Sequence, residues 1–473
     1  MVKTLILINR WFAVTLMMSL VVIGSCSITM GQDRPNIVLV LFDDLGWGQP
    51  QCYDATSTLP TPHLNQLATQ GMRFTDAHSA AAVCTPTRYG ILTGRYPCRI
   101  GQFGVLGTWS SPIIPTTRLT LPSLLQQAGY ETACIGKWHL GLQWEERGKD
   151  VPAIGARFDA GPNALGFDYF CGYTHAAGIE AVLEQDRVTR HISKEESQPL
   201  MTRKAVEWLE QRSTSKPFFL YFPMCPPHYP VAPSDEFVGK SGGVDIAGKN
   251  LQGQADPKRY PDWLYQGDAM LGALLHVLEQ RGLADNTMVI ATSDNGAEHR
   301  VYPPLRESKR SIYEGGHRVP LVVRWPKKIK AASLSDEPVC LTDFMATVAP
   351  LAQQSLPANA GEDSVSFLPA LLGQATQPAR EAIVHQSMAG DLAIRMDAWK
   401  LICFKNGRRE LFNLREDLGE TKDRLKEFPE IEQRLLATLK SYLDEGRSTP
   451  GPRQPNEHNI GIPKQKEAVQ RQQ

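Results

Sequence analysis

The chain has 473 residues, 42% of them hydrophobic and 21% charged, which is the make-up of a globular protein and excludes a disordered or fibrous one. Its length suits one large domain with a smaller companion. Lysine plus arginine equals aspartate plus glutamate, 50 against 50, so no global field recruits nucleic acid or an anionic membrane, and an anionic ligand must be held by a local cluster.

The first 31 residues carry Lys3 and Arg10, an apolar run from Trp11 to Ile23, then small and polar residues, the layout of a secretory signal peptide. Export to the periplasm or the exterior is therefore expected. Ile23-Gly24-Ser25-Cys26 also resembles a bacterial lipoprotein box, which would anchor the chain through Cys26. The apolar run is short for a spanning helix and no later stretch is long enough, so no transmembrane segment is expected. The cysteines beyond Cys26 are scattered without CxxC pairs, which excludes a thiolate zinc framework and leaves disulfide pairing open.

Residues 35–42 are an unbroken aliphatic run, the pattern of a strand buried on both faces of a parallel sheet. A helix with Pro62 in its first turn follows over 61–68, then a short strand at 72–75. The alternation recurs: helix 121–128 and strand 131–135, helix 201–212 and strand 218–222, helix 265–280 and strand 287–292, and a further strand at 321–325. These predict an α/β catalytic domain over 32–375, built on a large, mixed, mostly parallel, doubly wound sheet flanked by helices. After the polar linker 373–378, short strands at 383–385, 393–396, 399–404 and 410–413 and a helix at 430–443 predict a small α+β subdomain with an antiparallel sheet over 380–447. Residues 448–473, rich in Pro, Gly, Gln, Lys and Arg, predict a disordered tail.

In open α/β sheets ligands sit beyond the carboxyl ends of the strands, and four polar groups stand there: Asp43-Asp44, Lys137-Trp138-His139, Pro227-His228 and Asp294-Asn295. Each has a plain reading, since Asp-Asp and Asp-Asn-Gly favour turns and prolines around a histidine make a rigid loop. Taken together, Asp43, Asp44, Asp294 and Asn295 offer hard oxygen donors from two distant segments, a set that suits one calcium ion better than magnesium.

Cys84-Thr85-Pro86-Thr87-Arg88, running on to Leu92-Thr93-Gly94-Arg95, is similar to the signature of the formylglycine-dependent sulfatases, arylsulfatase-like members of the alkaline phosphatase superfamily. Gly136-Lys137-Trp138-His139-Leu140-Gly141, Phe42-Asp43-Asp44-Leu45-Gly46, Ser293-Asp294-Asn295-Gly296 and Tyr313-Glu314-Gly315-Gly316 resemble the same family, across roughly residues 34–430. The resemblance implies that a formylglycine-generating or equivalent maturation enzyme, reading Pro86 and Arg88, oxidises Cys84 to an aldehyde. Its hydrate would present one hydroxyl as nucleophile and a second for release of the sulfate. It further implies that residue 84 joins the calcium ligands, that Arg88, Lys137 and Lys309 neutralise developing charge, that His139 is the base and that His228 supports the leaving oxygen. Lys309 is preferred to Arg310 by its spacing to Tyr313, and His317 is read as structural.

The implied substrates are sulfated polysaccharides or oligosaccharides, with an aryl sulfate satisfying the same core. Two rivals stand beside this reading. One is a phosphoester or phosphonate hydrolase of the superfamily, which the lack of clustered histidines in the sequence opposes, and the other is an inert sulfated-glycan-binding protein. The stretch Gly172-Tyr173-Thr174-His175-Ala176 departs from relatives that place a serine near the sulfate. Trp109, His175, His299 and His385 are candidate substrate contacts.

Overall fold

A computed structural model describes residues 34–242, 259–298, 300–375, 377 and 379–464 of the chain. The expected signal peptide, Cys26 and His299 lie outside the described residues.

The strand Asn36–Asp43 runs through the middle of a mixed sheet that has ten strands among the described residues. Strands Thr287–Ser293, Asn36–Asp43, Phe218–Pro227, Glu131–Lys137 and Tyr169–Tyr173 lie side by side in that order and are all parallel. Antiparallel pairings flank them, Leu321–Arg324 on one side and Ala181–Glu184 on the other. The aliphatic run has its physical reason in two cores. Ile37, Leu39 and Leu41 point into one, with Tyr89, Ile91, Leu121, Leu125 and Phe344 from helices on that face. Val38, Val40 and Phe42 point into the other, against Leu64, Leu67, Met201, Trp208 and Trp263. The sheet is thus wound on both faces, as the sequence predicts.

Helix Lys194–Glu210 starts seven residues before the expected position. Ser193 and Glu196 form a reciprocal capping box there, and Pro199 is accommodated just past the first turn. Strand Phe218–Pro227 runs five residues beyond its expected end, and helix Tyr260–Gln280 begins five residues early.

The small sheet is antiparallel throughout, in the order Ile383–Gln386, Leu392–Met396, Trp399–Cys403 and Arg409–Asn413. Helix Pro429–Glu445 covers it with Leu435, Leu439 and Leu443, one stripe at a spacing of four. This sheet is stitched to the segment before Cys84: Gln386 N–H donates to the Ala80 carbonyl and Ala82 N–H to the Gln386 carbonyl, each at 3.0 Å.

The tail departs from expectation. Residues 448–464 lie along the main body, where Arg95 donates to the Pro455 carbonyl at 2.6 Å and to Glu457 at 3.0 Å, and Arg99 donates to Asn456 at 3.1 Å. Arg95 and Arg99 are wholly buried and need acceptors, which this polar segment supplies. All eight cysteines among the described residues are free, and no helix there is long and apolar enough to cross a membrane.

Candidate active site

Five parallel strands end at one edge of the sheet and deliver Asp43-Asp44, Asp294-Asn295, His228, Lys137-Trp138-His139 and Thr174 to a common place. A register shift between Leu41 and Asp43 sets Asp43 opposite Pro227, one residue before His228. Asp44 then takes φ +68°, a left-handed conformation that aspartate tolerates better than most, and its N–H donates to Asp294 Oδ1 at 3.2 Å. Behind Lys137 the strands close up: a Cβ on Gly136 would meet the Pro223 carbonyl oxygen at 2.1 Å, and one on Gly172 would meet the Gly136 oxygen at 1.8 Å.

Cys84 is the first residue of helix Cys84–Thr93, all of whose residues are buried. Its Sγ lies 3.3 Å from Asp43 Oδ1 and 4.0 Å from Asp44 Oδ1. Arg88, one turn on and so on the same side of the helix, places Nη2 2.7 Å from Asp294 Oδ2 and 3.7 Å from Asp43 Oδ1, and donates through Nη1 to the Lys137 carbonyl at 3.1 Å. Lys137 Nζ donates to Asp43, and Lys309 Nζ to Asp44 Oδ2 at 2.8 Å. Asp43, Cys84, Arg88, Lys137, Asp294 and Asn295 are at most 1% exposed, so these charges meet in a water-poor site where electrostatics is strong.

Burial presses every carboxyl here upward. At Asp43 the cations Lys137 and Arg88 overcome it and hold the group well below its usual range, whereas Asp44 and Asp294 stay raised, each pushed up by burial and by neighbouring carboxylates. Burial and the carboxylates of Asp294 and Asp43 push the Cys84 thiol well above its ordinary value, so the unmodified side chain is a poor nucleophile.

Both histidines are held neutral. Burial, then Lys137 and Arg88, drives His139 well below 6.5. Its Nε2 lies 2.8 Å from the Leu106 carbonyl, which can only accept, so the proton sits on Nε2, and Nδ1 carries the lone pair. That Nδ1 is buried without a partner among the described residues. Thr85 Oγ1 donates to the His139 carbonyl at 3.0 Å, and His139 N–H donates to the Thr174 carbonyl at 2.8 Å, which pins its backbone from two sides. Burial and Lys309 depress His228 to about 3. Its Nδ1 faces the Tyr229 carbonyl, and its Nε2 lies 3.6 Å from Asp44 Oδ2 and 3.8 Å from Glu298 Oε2.

Donor atoms of Asp43, Asp44, Cys84 and His228 all lie within 4.8 Å of one another, a grouping able to hold a cation. Asn295 Nδ2 donates to Asp44 Oδ1 at 2.7 Å and to the Gly296 carbonyl at 2.9 Å, and since that carbonyl can only accept, the other amide atom is the oxygen Oδ1. That Oδ1 is buried and takes no hydrogen bond among the described residues. An orphaned amide oxygen among crowded carboxylates fits a hard divalent cation.

The family described as Sulfatase matches residues 35–354, and the N-sulphoglucosamine sulphohydrolase C-terminal family matches residues 298–448. The chain belongs to the sulfatase family. It is 31% identical to a Bacteroides thetaiotaomicron N-acetylgalactosamine-6-O-sulfatase, covering 86% of this chain and 93% of the relative. It is also 31% identical to human arylsulfatase A, over 79% of this chain and 75% of that one. Among solved structures it superposes with a TM-score of 0.74 on Ps i-CgsB in complex with k-i-k-neocarrahexaose, at 27% identity, over 89% of this chain and 96% of that one. Membership makes it a sulfuric ester hydrolase with the fold of the alkaline phosphatase superfamily. A phosphonate monoester hydrolase of Agrobacterium radiobacter shares that fold at 16% identity, with a TM-score of 0.61 over 86% of this chain and 95% of that one.

The sulfatase keeps several sequence-predicted residues outside this centre. His385 is wholly buried, so it cannot touch a substrate. Its ring stacks on His317 at 3.9 Å and 14°, and His78 Nδ1 lies 3.2 Å from His317 Nδ1. Donor atoms of the three buried histidines lie within 4.8 Å of one another, but only His317 and His385 stack, and His78 Nε2 is engaged by Asp76. Lys400 also donates to His317 Nε2 at 3.0 Å. The cluster is a polar joint between the two sheets. Trp109 packs against Trp144 and donates to the Asp150 carbonyl. His175 is half-buried, with its ring 5.8 Å from that of His139. Sequence reasoning missed Glu298, whose Oε2 lies 3.4 Å from Lys309 Nζ. Its position three residues past Asn295 was the available signal.

Proposed function

We propose that the protein is an exported sulfatase that hydrolyses sulfate esters of polysaccharides or oligosaccharides, with Cys84 matured to formylglycine by a dedicated enzyme. One calcium ion would be held by Asp43, Asp44, Asp294, Asn295 and residue 84. The observation that carries this reading is the convergence of Cys84, three buried cations and two neutral histidines on one cluster of carboxylates. The names of the relatives and the saccharide bound by one structural neighbour support a sulfated-sugar substrate.

Matured, residue 84 supplies a hydroxyl nucleophile, and calcium supplies positive charge for the sulfuryl oxygens. Lys137 and Lys309 flank the same oxygens with fixed ammonium groups that need no reorganisation as charge develops. Arg88 holds Asp294 and the Lys137 carbonyl, which keeps the carboxylates in register. His139 accepts a proton at Nδ1, the atom left bare by the Leu106 hydrogen bond. His228, with Nδ1 on the Tyr229 carbonyl, carries a lone pair on Nε2, which can take the proton that the attacking hydroxyl gives up and pass it to the leaving oxygen.

The test is mass spectrometry of the Cys84 peptide from the native host, joined to sulfate release from defined sulfated saccharides. An aldehyde at residue 84 and release of sulfate are expected, and an unmodified thiol in active enzyme would overturn the mechanism. Exhaustive treatment with a calcium chelator should lower kcat by about a hundredfold or more, with calcium restoring it better than magnesium. Full turnover in metal-free protein would remove calcium from the reading. A depressed His139 stays in its base form below pH 6.5, so the acid limb of kcat/KM should lie below that value and change in His139→Ala. A limb centred at or above pH 6.5 would count against His139 as the base.

A further inference from the structure

Lys309 and Arg310 are consecutive residues of a turn, and both reach the same carboxylate. Lys309 Nζ lies 3.4 Å from Glu298 Oε2, and Arg310 Nη2 is paired with Glu298 Oε1. The cause is local: Arg310 takes φ +78°, a left-handed conformation that a non-glycine residue holds only when its surroundings impose it. Here its N–H donates to the Ala82 carbonyl at 2.7 Å, and its carbonyl accepts from Met388 N–H at 3.1 Å. The segment leading to Cys84 and the end of the small sheet therefore hold Arg310 between them.

The result is a guanidinium one carboxylate away from the proposed sulfate-gripping lysine and from His228, whose Nε2 is 3.8 Å from Glu298 Oε2. The Arg310 side chain is 39% exposed, and only Nη2 makes a side-chain hydrogen bond among the described residues. Glu298 lies between the two cations, nearer to Arg310, while Lys309 is also paired with Asp44 at 2.8 Å. Beside the pair stand Tyr229, whose ring lies 4.6 Å from that of His228, and Met388, itself 39% exposed. A planar, multi-donor cation with an aromatic ring nearby suits a sugar ring that carries an anionic substituent.

We propose that Arg310, braced by Glu298, forms a subsite for a second anionic group on the substrate, a sulfate or a uronate carboxylate next to the sulfate being cleaved. This rests on the reading of the centre as a sulfatase site and deepens it by naming polyanionic saccharides as the preferred substrates. No covalent step is added, because Arg310 acts in binding only.

The experiment compares kcat/KM of matured enzyme on four probes: 4-methylumbelliferyl sulfate, a neutral monosulfated disaccharide, a disulfated disaccharide, and a monosulfated disaccharide carrying a uronic acid. Wild type is expected to prefer one of the two doubly anionic sugars over the neutral one by about tenfold or more, and which one identifies the anion. Arg310→Ala should collapse that ratio toward one, and Arg310→Lys should retain part of it. Thermal melting of each variant checks that the fold persists. An equal ratio in wild type and Arg310→Ala, or no preference in wild type, overturns the proposal. Failure to cleave any of the four would instead overturn the sulfatase reading on which it rests.

Discussion

Replacing Cys84 with alanine is expected to lower kcat for sulfate release by about 10^4-fold or more, the scale seen when a covalent nucleophile is removed. The fold should survive, because the side chain forms no disulfide and its buried thiol sits among carboxylates that raise its pKa. Melting temperature and far-ultraviolet dichroism of the variant should therefore match the wild type closely, while sulfate release from saccharide and aryl esters alike is lost. Cys84→Ser, which restores a hydroxyl but not a hydrated aldehyde, should stay far below wild type. If Cys84→Ala turned over at the wild-type rate, the nucleophile would have to be sought elsewhere.

Replacing Lys400 with methionine is expected to cost about 3 to 5 kcal/mol of stability, the scale for breaking a buried ion pair. Lys400 Nζ is wholly buried, 2.8 Å from Glu420 and 3.0 Å from Glu314. Both carboxylates are themselves buried, and they come from the two sides of the junction between the sheets. Burial raises Glu420 to about 7 against the pull of Lys400. A carboxyl raised in the folded state lends stability below its unfolded value and loses it as pH rises through the folded one. Without Lys400 that shift grows, so the deficit of the variant should be larger at pH 8 than at pH 5 in denaturant titrations. Adding Glu420→Gln should recover part of it. A deficit below about 1 kcal/mol at pH 8, or one independent of pH, would show that the network is not held by its charges.

Much of the sheet was readable because a strand buried on two faces leaves an unmistakable aliphatic run, and the polar residues at its end follow from topology. Asp43, Lys137, His228 and Asp294 could be placed at strand ends for that reason, and residue 84 stood out through its motif. Other features depend on contacts between segments far apart in sequence. Glu298 and Arg310 meet because one residue takes a left-handed turn, and a single φ leaves no mark in composition. His385 looked like a surface histidine until the small sheet was laid against residues 79–82. The start of helix Lys194–Glu210 was hidden by Pro199, which reads as a breaker although the capping box lies before it. Residues 448–464 are held by two buried arginines that lie about 350 residues earlier in the chain, a contact that local composition does not reveal, and residues 465–473 lie outside the described residues.

The burial of helix Cys84–Thr93 has a consequence for the order of events in the life of the chain. Every residue from Cys84 to Arg88 is buried, so the proposed maturation enzyme would have nothing to grip in that stretch once the helix has docked. If Cys84 is matured as proposed, that oxidation would have to precede folding, while the stretch is still accessible. Protein folded with its thiol intact would then be a dead end, and adding the maturation enzyme afterwards should not awaken it unless the chain is first unfolded.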